Sequence, residues 1–230
     1  MSASVRVLPT LEILAAQAAV YVGGVIRETC ARRGRCRIAL AGGSTPAPVY
    51  RLLAEEPLAW EQVELFLGDE RCVPPDDPAS NARMVRETLL ENLPQPGPRF
   101  HDLPRAAEEP EEAARAYSAL LAEPLDLVLL GIGQDGHTAS LFPDSPALGE
   151  ERAAVVTTGP KPPNPRITLT PSVLLGAGVR VVLAAGADKA RPVARALDPR
   201  TDPHAIPAAF ARDGMWFLDR EAASALEAPR

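Results

Sequence analysis

Two spacings of hydrophobic residues alternate along the chain. From residue 11 to about 32, apolar positions recur every three or four residues, with Leu11, Leu14, Ala18, Tyr21, Val22 and Ile26 near one face. Thr10 stands where a helix cap belongs, so the pattern predicts a helix over 11–32. Short apolar runs at 37–41, 63–67, 125–130 and 179–185 read as strands, with shorter ones at 153–157, 166–169 and 215–218. Between them the spacing turns helical again at 46–54, 81–92 (with Ser80 as cap), 109–122, 187–197 and 219–227. Residues 68–80 read as a polar loop and 94–110 as a Pro-rich connector. Unbroken apolar strands separated by helices belong to a parallel sheet covered on both faces. The expected fold is therefore α/β and Rossmann-like, a mostly parallel twisted sheet with helices on both faces. No internal repeat and no dividing linker is evident, so residues 1–230 are expected to form a single domain.

Composition narrows the function more than the fold. A chain of 230 residues buries about 70% of its unfolded surface and needs no disulfide or metal staple. Apolar and charged fractions of 46% and 23% are those of an ordinary globule. The 24 basic residues comprise 22 Arg and only two Lys, Lys161 and Lys189; against 30 acids they leave a formal charge of −6. An acidic chain without a run of Arg is unsuited to nucleic acid or anionic membrane surfaces, so any anionic ligand must be held by a few local cations. Cys30, Cys36 and Cys72 are odd in number and lack metal-binding spacing, which argues against a disulfide framework or structural zinc. The apolar stretch 11–26 is interrupted by Glu12, Gln17, Gly23 and Gly24, lacks a basic leader and falls short of the ~20 residues of a membrane span. A reduced, cytoplasmic protein with no membrane partner is expected.

Ligands of open parallel sheets bind beyond the carboxyl ends of the strands, and four segments there carry unusual residues. In Gly42-Gly43-Ser44-Thr45-Pro46, glycines, hydroxyls and a Pro at the first turn of a helix suit a single phosphate, although a plain tight turn explains the same residues. Gly68-Asp69-Glu70-Arg71-Cys72-Val73-Pro74 places two acids and an Arg just past a buried strand, where they need partners or a ligand; the alternative is a solvated surface ion pair. Asn81 is positioned to brace this loop. Gly131-Ile-Gly133-Gln-Asp135-Gly136-His137-Thr138 contains a literal GxGxxG, but no second strand ends in an acid ~20 residues later as a dinucleotide site requires. Its glycines converge instead on Asp135 and His137, a carboxylate–imidazole pair expected of a general base. His101, in the connector, and His204, in Asp202-Pro203-His204, read as surface or capping residues. The fourth segment joins Pro162-Pro163-Asn164-Pro165-Arg166 to Gly186-Ala187-Asp188-Lys189. A Lys in the first turn of a helix opposes the macrodipole unless an anion is shared there; a flexible surface Lys is the alternative.

Taken together these segments resemble 6-phosphogluconolactonases, a family related to glucosamine-6-phosphate deaminases. The resemblance spans roughly residues 10–225. It rests on Leu40-Ala-Gly-Gly-Ser-Thr-Pro46, on Asp69-Glu-Arg-Cys-Val-Pro74 with Ser80-Asn81, and on Gly131 to Pro143. Arg166-Ile-Thr-Leu-Thr170 and Gly186-Ala-Asp-Lys189-Ala190 complete it. It implies hydrolysis of 6-phospho-D-glucono-1,5-lactone to 6-phosphogluconate, the second step of the oxidative pentose phosphate pathway. In that reading His137 is the general base, Asp135 orients it or shapes the turn, and Arg71 stabilises the oxyanion. Gly43, Ser44, Thr45, Arg166 and Lys189 hold the 6-phosphate, with Lys161 bordering the same site. No cofactor and no metal are implied. The partner is a small-molecule phosphosugar lactone, and both monomer and weak dimer stay open. Deaminases share the first and third loops but carry a Glu about five residues past the His, where this chain has Phe142, and an aromatic in place of Arg71. Two rivals are a non-catalytic sugar-phosphate sensor, which would normally append a DNA-binding segment, and an NAD(P) oxidoreductase, which rests on GxGxxG alone.

Overall fold

In the computed structural model, which describes residues 4–103 and 106–226, the alternating pattern becomes ten strands and six α-helices. In chain order these are β1 (Ser4–Leu8), α1 (Leu11–Arg33), β2 (Cys36–Leu40), α2 (Pro46–Ala54), β3 (Val63–Leu67), β4 (Asp69–Arg71), α3 (Asn81–Thr88), β5 (Arg99–His101), α4 (Pro110–Leu120) and β6 (Leu127–Gly131). Then follow β7 (Ala154–Thr157), β8 (Arg166–Leu169), α5 (Pro171–Gly176), β9 (Val179–Ala184), α6 (Ala190–Leu197) and β10 (Met215–Asp219). Thr10 caps α1, its hydroxyl accepting from the Ile13 N–H at 3.4 Å.

Seven strands form one parallel sheet in the order β1-β10-β9-β6-β2-β3-β5. Alternate residues of each strand point to opposite faces, so the apolar runs feed two cores. Ile38, Leu65, Leu129 and Leu183 pack with α1, α2 and α3, while Ala39, Phe66, Leu130 and Ala184 pack with α4, α5 and α6. Each large side chain buried this way contributes about 1.5–3 kcal/mol. The fold is the α/β architecture expected, with helices on both faces. The chain runs outward from β2 through β3 to β5, then returns to the other side of β2 with β6. That reversal leaves a crevice beyond the ends of β2 and β6, from which the first and third of the segments above emerge.

Several boundaries differ from the sequence pattern. The expected polar loop over 68–80 begins with β4, which pairs antiparallel with β8; β8 pairs antiparallel with β7, making a second, three-stranded sheet. β4 is three charged residues long, too short and too polar for periodicity to register. β1 and β5 are edge strands with exposed or half-buried side chains, which erases the apolar signal of buried strands; with β1 outside it, β10 lies inside the sheet. Residues 81–92 are helical to Thr88 and finish in a 3-10 turn. The helix expected over 219–227 is a series of turns to residue 226. There the Asp219 carboxylate accepts from the Ala222 N–H at 2.7 Å and from the Gly186 N–H, which competes with helix formation; residue 227 lies outside the described residues. His101 is not a surface residue: its side chain is 8% exposed, stacks on Phe66 at 4.5 Å and meets Glu64 at 3.0 Å. His204 is exposed, as expected. The three cysteines are free thiols. Among the described residues no helix is long and apolar enough to cross a membrane.

Candidate active site

A cleft of about 610 Å³ opens beyond β2 and β6, and its walls are the four segments. On the β2 side, the Tyr50 hydroxyl, fully buried, donates to the Ala41 carbonyl at 2.8 Å and fixes the strand end. A Cβ at Gly42 would lie 2.1 Å from Asn81 Oδ1, so the backbone passes this side chain only as glycine. Gly43, Ser44 and Thr45 line the cleft, and Pro46 opens α2. Thr45 makes no side-chain cap, and because Pro46 and Pro48 lack N–H groups, Ala47 carries the one N–H among the first three residues of α2.

On the β6 side, Gly131 ends the strand without leading into a helix; the chain turns through Gly136 and makes a single bridge between Thr138 and Leu141. A dinucleotide cradle needs the helix that is missing here. The loop instead holds an imidazole. His137 Nδ1 lies 2.5 Å from Asp135 Oδ1, and the same oxygen accepts the His137 backbone N–H at 3.1 Å. With Nδ1 engaged by the carboxylate, Nε2 is the nitrogen left to exchange protons. Burial alone would raise the Asp135 carboxyl, but hydrogen bonds from the His137 ring and backbone outweigh it and hold the group below its ordinary value. Gly133 is a matched vacancy: a Cβ there would sit 2.1 Å from the imidazole. The Phe142 ring, buried, packs against His137 with centroids 4.8 Å apart.

Alternation divides the charges of β4. Glu70 points toward α3, where it accepts from the N–H groups of Arg71, Asn81 and Ala82 and from the Ser80 hydroxyl at 2.7–3.0 Å. Burial raises its carboxyl, these bonds opposing the rise. Asp69 and Arg71 line the cleft. Asn81 braces the strand as expected, donating to the Asp69 carbonyl at 2.8 Å. Arg71 donates through Nη1 to the Ala79 carbonyl at 2.6 Å, and its buried Nε has no protein partner.

Arg166 lies opposite Arg71 on β8 and is buried. It donates to the Lys161 and Pro163 carbonyls at 3.1 and 3.2 Å, with its guanidinium 5.4 Å from the centre of the Phe142 ring. Burial and then the charge of Arg71 lower its pKa, with Asp69 opposing them. Lys189 is the last residue of a 3-10 turn and directly precedes α6. Its Nζ lies 3.2 Å from Asp188 Oδ2, which also accepts from Gln134 Nε2 at 2.8 Å. Gln134 first, and Lys189 with it, hold the Asp188 carboxyl low against the opposing effect of burial.

His137, Asp135, Arg71, Gly43, Ser44, Thr45, Arg166 and Lys189 thus meet in one cleft, joined by Lys161. Two further residues of the cleft wall were not among the expected site residues: Asp69 was expected only to need a partner or a ligand, and Phe142 stood only for a missing acid. The chain is acidic as a whole, yet four cations line this cleft against two carboxylates, so the site is built for an anion.

The family described as glucosamine-6-phosphate isomerases/6-phosphogluconolactonase matches residues 9–217. A 6-phosphogluconolactonase of Synechocystis sp. is 40% identical over 237 residues, covering 96% of this chain and 98% of the relative. One from Mycobacterium tuberculosis is 38% identical over 248 residues, covering 98% and 99%. The solved structure of 6-phosphogluconolactonase from Trypanosoma brucei superposes with a TM-score of 0.86 at 32% identity, covering 98% of this chain and 99% of that one. A monomeric glucosamine-6-phosphate deaminase, at 24% identity and a TM-score of 0.84, shares the fold.

Proposed function

The chain belongs to the glucosamine-6-phosphate isomerase/6-phosphogluconolactonase family and is an enzyme, a lactone hydrolase; from that premise we propose that it converts 6-phospho-D-glucono-1,5-lactone to 6-phosphogluconate with His137 as general base. The observation that carries the reading is the His137–Asp135 pair, held with Nε2 free in a cleft lined by four cations. A lactone is an activated ester, so hydrolysis needs an activated water and a stabilised oxyanion. Nε2 takes a proton from the water that attacks the carbonyl carbon, and Asp135 supports the imidazolium that results. Arg71, which lines the cleft, donates to the developing oxyanion. A preorganised donor of this kind is typically worth about 3–4 kcal/mol. The imidazolium then returns its proton to the ring oxygen as the C–O bond breaks, leaving the open-chain acid, which loses its remaining proton to solvent and becomes the carboxylate.

Gly43, Ser44, Thr45, Arg166 and Lys189 hold the 6-phosphate at the opposite end of the substrate. Phe142 supports hydrolysis over deamination, because the ring against His137 is apolar where ring opening and proton transfer between carbons would need another acid. In this reading residues 1–230 act as one domain, in the cytoplasm, on the second step of the oxidative pentose phosphate pathway. The test is a coupled assay of freshly made lactone, corrected for spontaneous hydrolysis. His137→Ala is expected to lose about 10²–10⁴-fold in kcat; near-wild-type turnover removes His137 from the chemistry. Lys189→Ala is expected to reduce the preference for phosphorylated over unphosphorylated lactone, and an unchanged preference removes Lys189 from the phosphate site.

A further inference from the structure

The small antiparallel sheet contains an electrostatic conflict. Its register sets Arg71 directly opposite Arg166 and Asp69 opposite Thr168, and alternation turns all four side chains to one face. Like charges directly opposed destabilise a strand pair, and Arg166 is only 8% exposed, so water screens it little. Asp69, also buried, supplies the opposite charge.

The link between Asp69 and Arg166 is indirect. Ser140 stands between them, donating its hydroxyl proton to Asp69 Oδ2 at 2.5 Å and accepting from Arg166 Nη1 at 3.4 Å. A carboxylate can only accept and a guanidinium can only donate, whereas a hydroxyl does both. With its single proton committed to Asp69, Ser140 can offer Arg166 nothing but lone pairs. The serine is itself fixed: it is fully buried, and its N–H donates to Thr168 Oγ1 at 3.1 Å. The preceding residue, Ala139, has φ of 49°, a left-handed conformation unusual for a side chain with a Cβ and typical of backbone strained at functional sites.

We propose that Ser140 is a positioning residue for phosphate recognition, relaying the charge of the Asp69 carboxylate to Arg166 and holding that guanidinium away from Arg71. A direct Asp69–Arg166 salt bridge would neutralise the cation that the phosphate needs. The long Arg166–Ser140 contact orients the guanidinium while leaving it available to a stronger acceptor. The inference rests on the phosphate role of Arg166 in the function proposed above.

The experiment compares wild type, Ser140→Ala, Arg166→Ala and the double variant on 6-phosphogluconolactone and unphosphorylated gluconolactone, with inorganic phosphate binding followed by calorimetry. Ser140→Ala is expected to raise KM for the phosphorylated substrate about tenfold, as for one lost hydrogen bond to a charged group. The ratio of kcat/KM between the two lactones should fall by the same factor, and phosphate should bind more weakly. In the Arg166→Ala background, Ser140→Ala should add less than twofold. An unchanged selectivity ratio, or effects that multiply in the double variant, overturns the proposal. Should Ser140→Ala fail to fold, Ser140→Cys, which keeps a weaker donor in nearly the same volume, serves with an intermediate loss expected and none overturning it. If wild type hydrolyses neither lactone, the proposed function fails; phosphate binding then decides Ser140 separately, unchanged affinity in the variant overturning its role.

Discussion

Replacing Gly133 with Ala inserts one methyl group at the point where the loop backbone passes beneath the His137 imidazole. The glycine φ is not in the left-handed region, so alanine can adopt the backbone and the effect is one of overlap. The new Cβ would lie 2.1 Å from His137 Cε1 and Nδ1 and 2.7 Å from Asp135 Oδ1, whereas ordinary contact begins at 3.4 Å. The ring must therefore retreat by about 1 Å or more, and a displacement of that size at the reacting group costs on the order of 10²-fold in rate. His137 has 30% of its side chain exposed toward the cleft, so it has somewhere to go. The stability cost should stay below about 1 kcal/mol, or roughly 2–4 °C in melting temperature for a chain of this size. The assay is steady-state lactonase turnover with a thermal melt on the same preparation, repeated in a His137→Ala background, where Gly133→Ala should cause no further loss. A kcat within threefold of wild type would refute the claim that the Asp135–His137 geometry sets the rate.

Two further outcomes follow from displaced pKa values. The Asp135 carboxyl lies below its ordinary 3.8 because bonds from His137 outweigh burial; its charged form is thus favoured by folding, a contribution complete above the ordinary value and lost as pH falls through the lower, folded one. Carboxyl NMR should give a midpoint below 3.8 in wild type and a higher one in His137→Ala, where burial acts with less opposition; a wild-type midpoint above 4.5 contradicts the pairing. Burial, and then the charge of Glu70, push the Cys72 thiol up to about 11. At pH 8 its thiolate fraction is about one in a thousand, against roughly one in four for an ordinary cysteine. Iodoacetamide labelling followed by mass spectrometry should run a few hundred-fold slower than for free cysteine, and labelling at the free-thiol rate would show the site to be open.

The strands that build both cores were legible because each is apolar along its whole length, as in Val63–Leu67 and Leu127–Gly131. So was the convergence of His137, Arg71 and the Gly43–Ser44 turn, since strand ends on one side of a parallel sheet share one crevice. What could not be read was structure whose signal is neither apolar nor periodic. β4 is three charged residues, and its role comes from long-range pairing with β8, about 100 residues later in the chain. β1 lies at an edge with its side chains outside the core. His101 looked like a loop residue because nothing local announces that Phe66 and Glu64 lie beside it on the neighbouring strand. Ser140 illustrates the same limit, for the two partners of its hydroxyl stand 71 and 26 residues away.

Both lysines of the chain, Lys161 and Lys189, line the cleft. Both lysine amines in the sequence therefore open onto one cleft. Reagents that ordinarily decorate a protein surface at random, such as succinimidyl dyes, aldehyde fixatives and amine-coupled sensor chips, become site-directed here. A dye would report on the cleft, a fixative would tether whatever occupies it, and a chip would bind the molecule mouth-down with its entrance closed. Handling chemistry that spares function should go through a carboxylate or an appended tag.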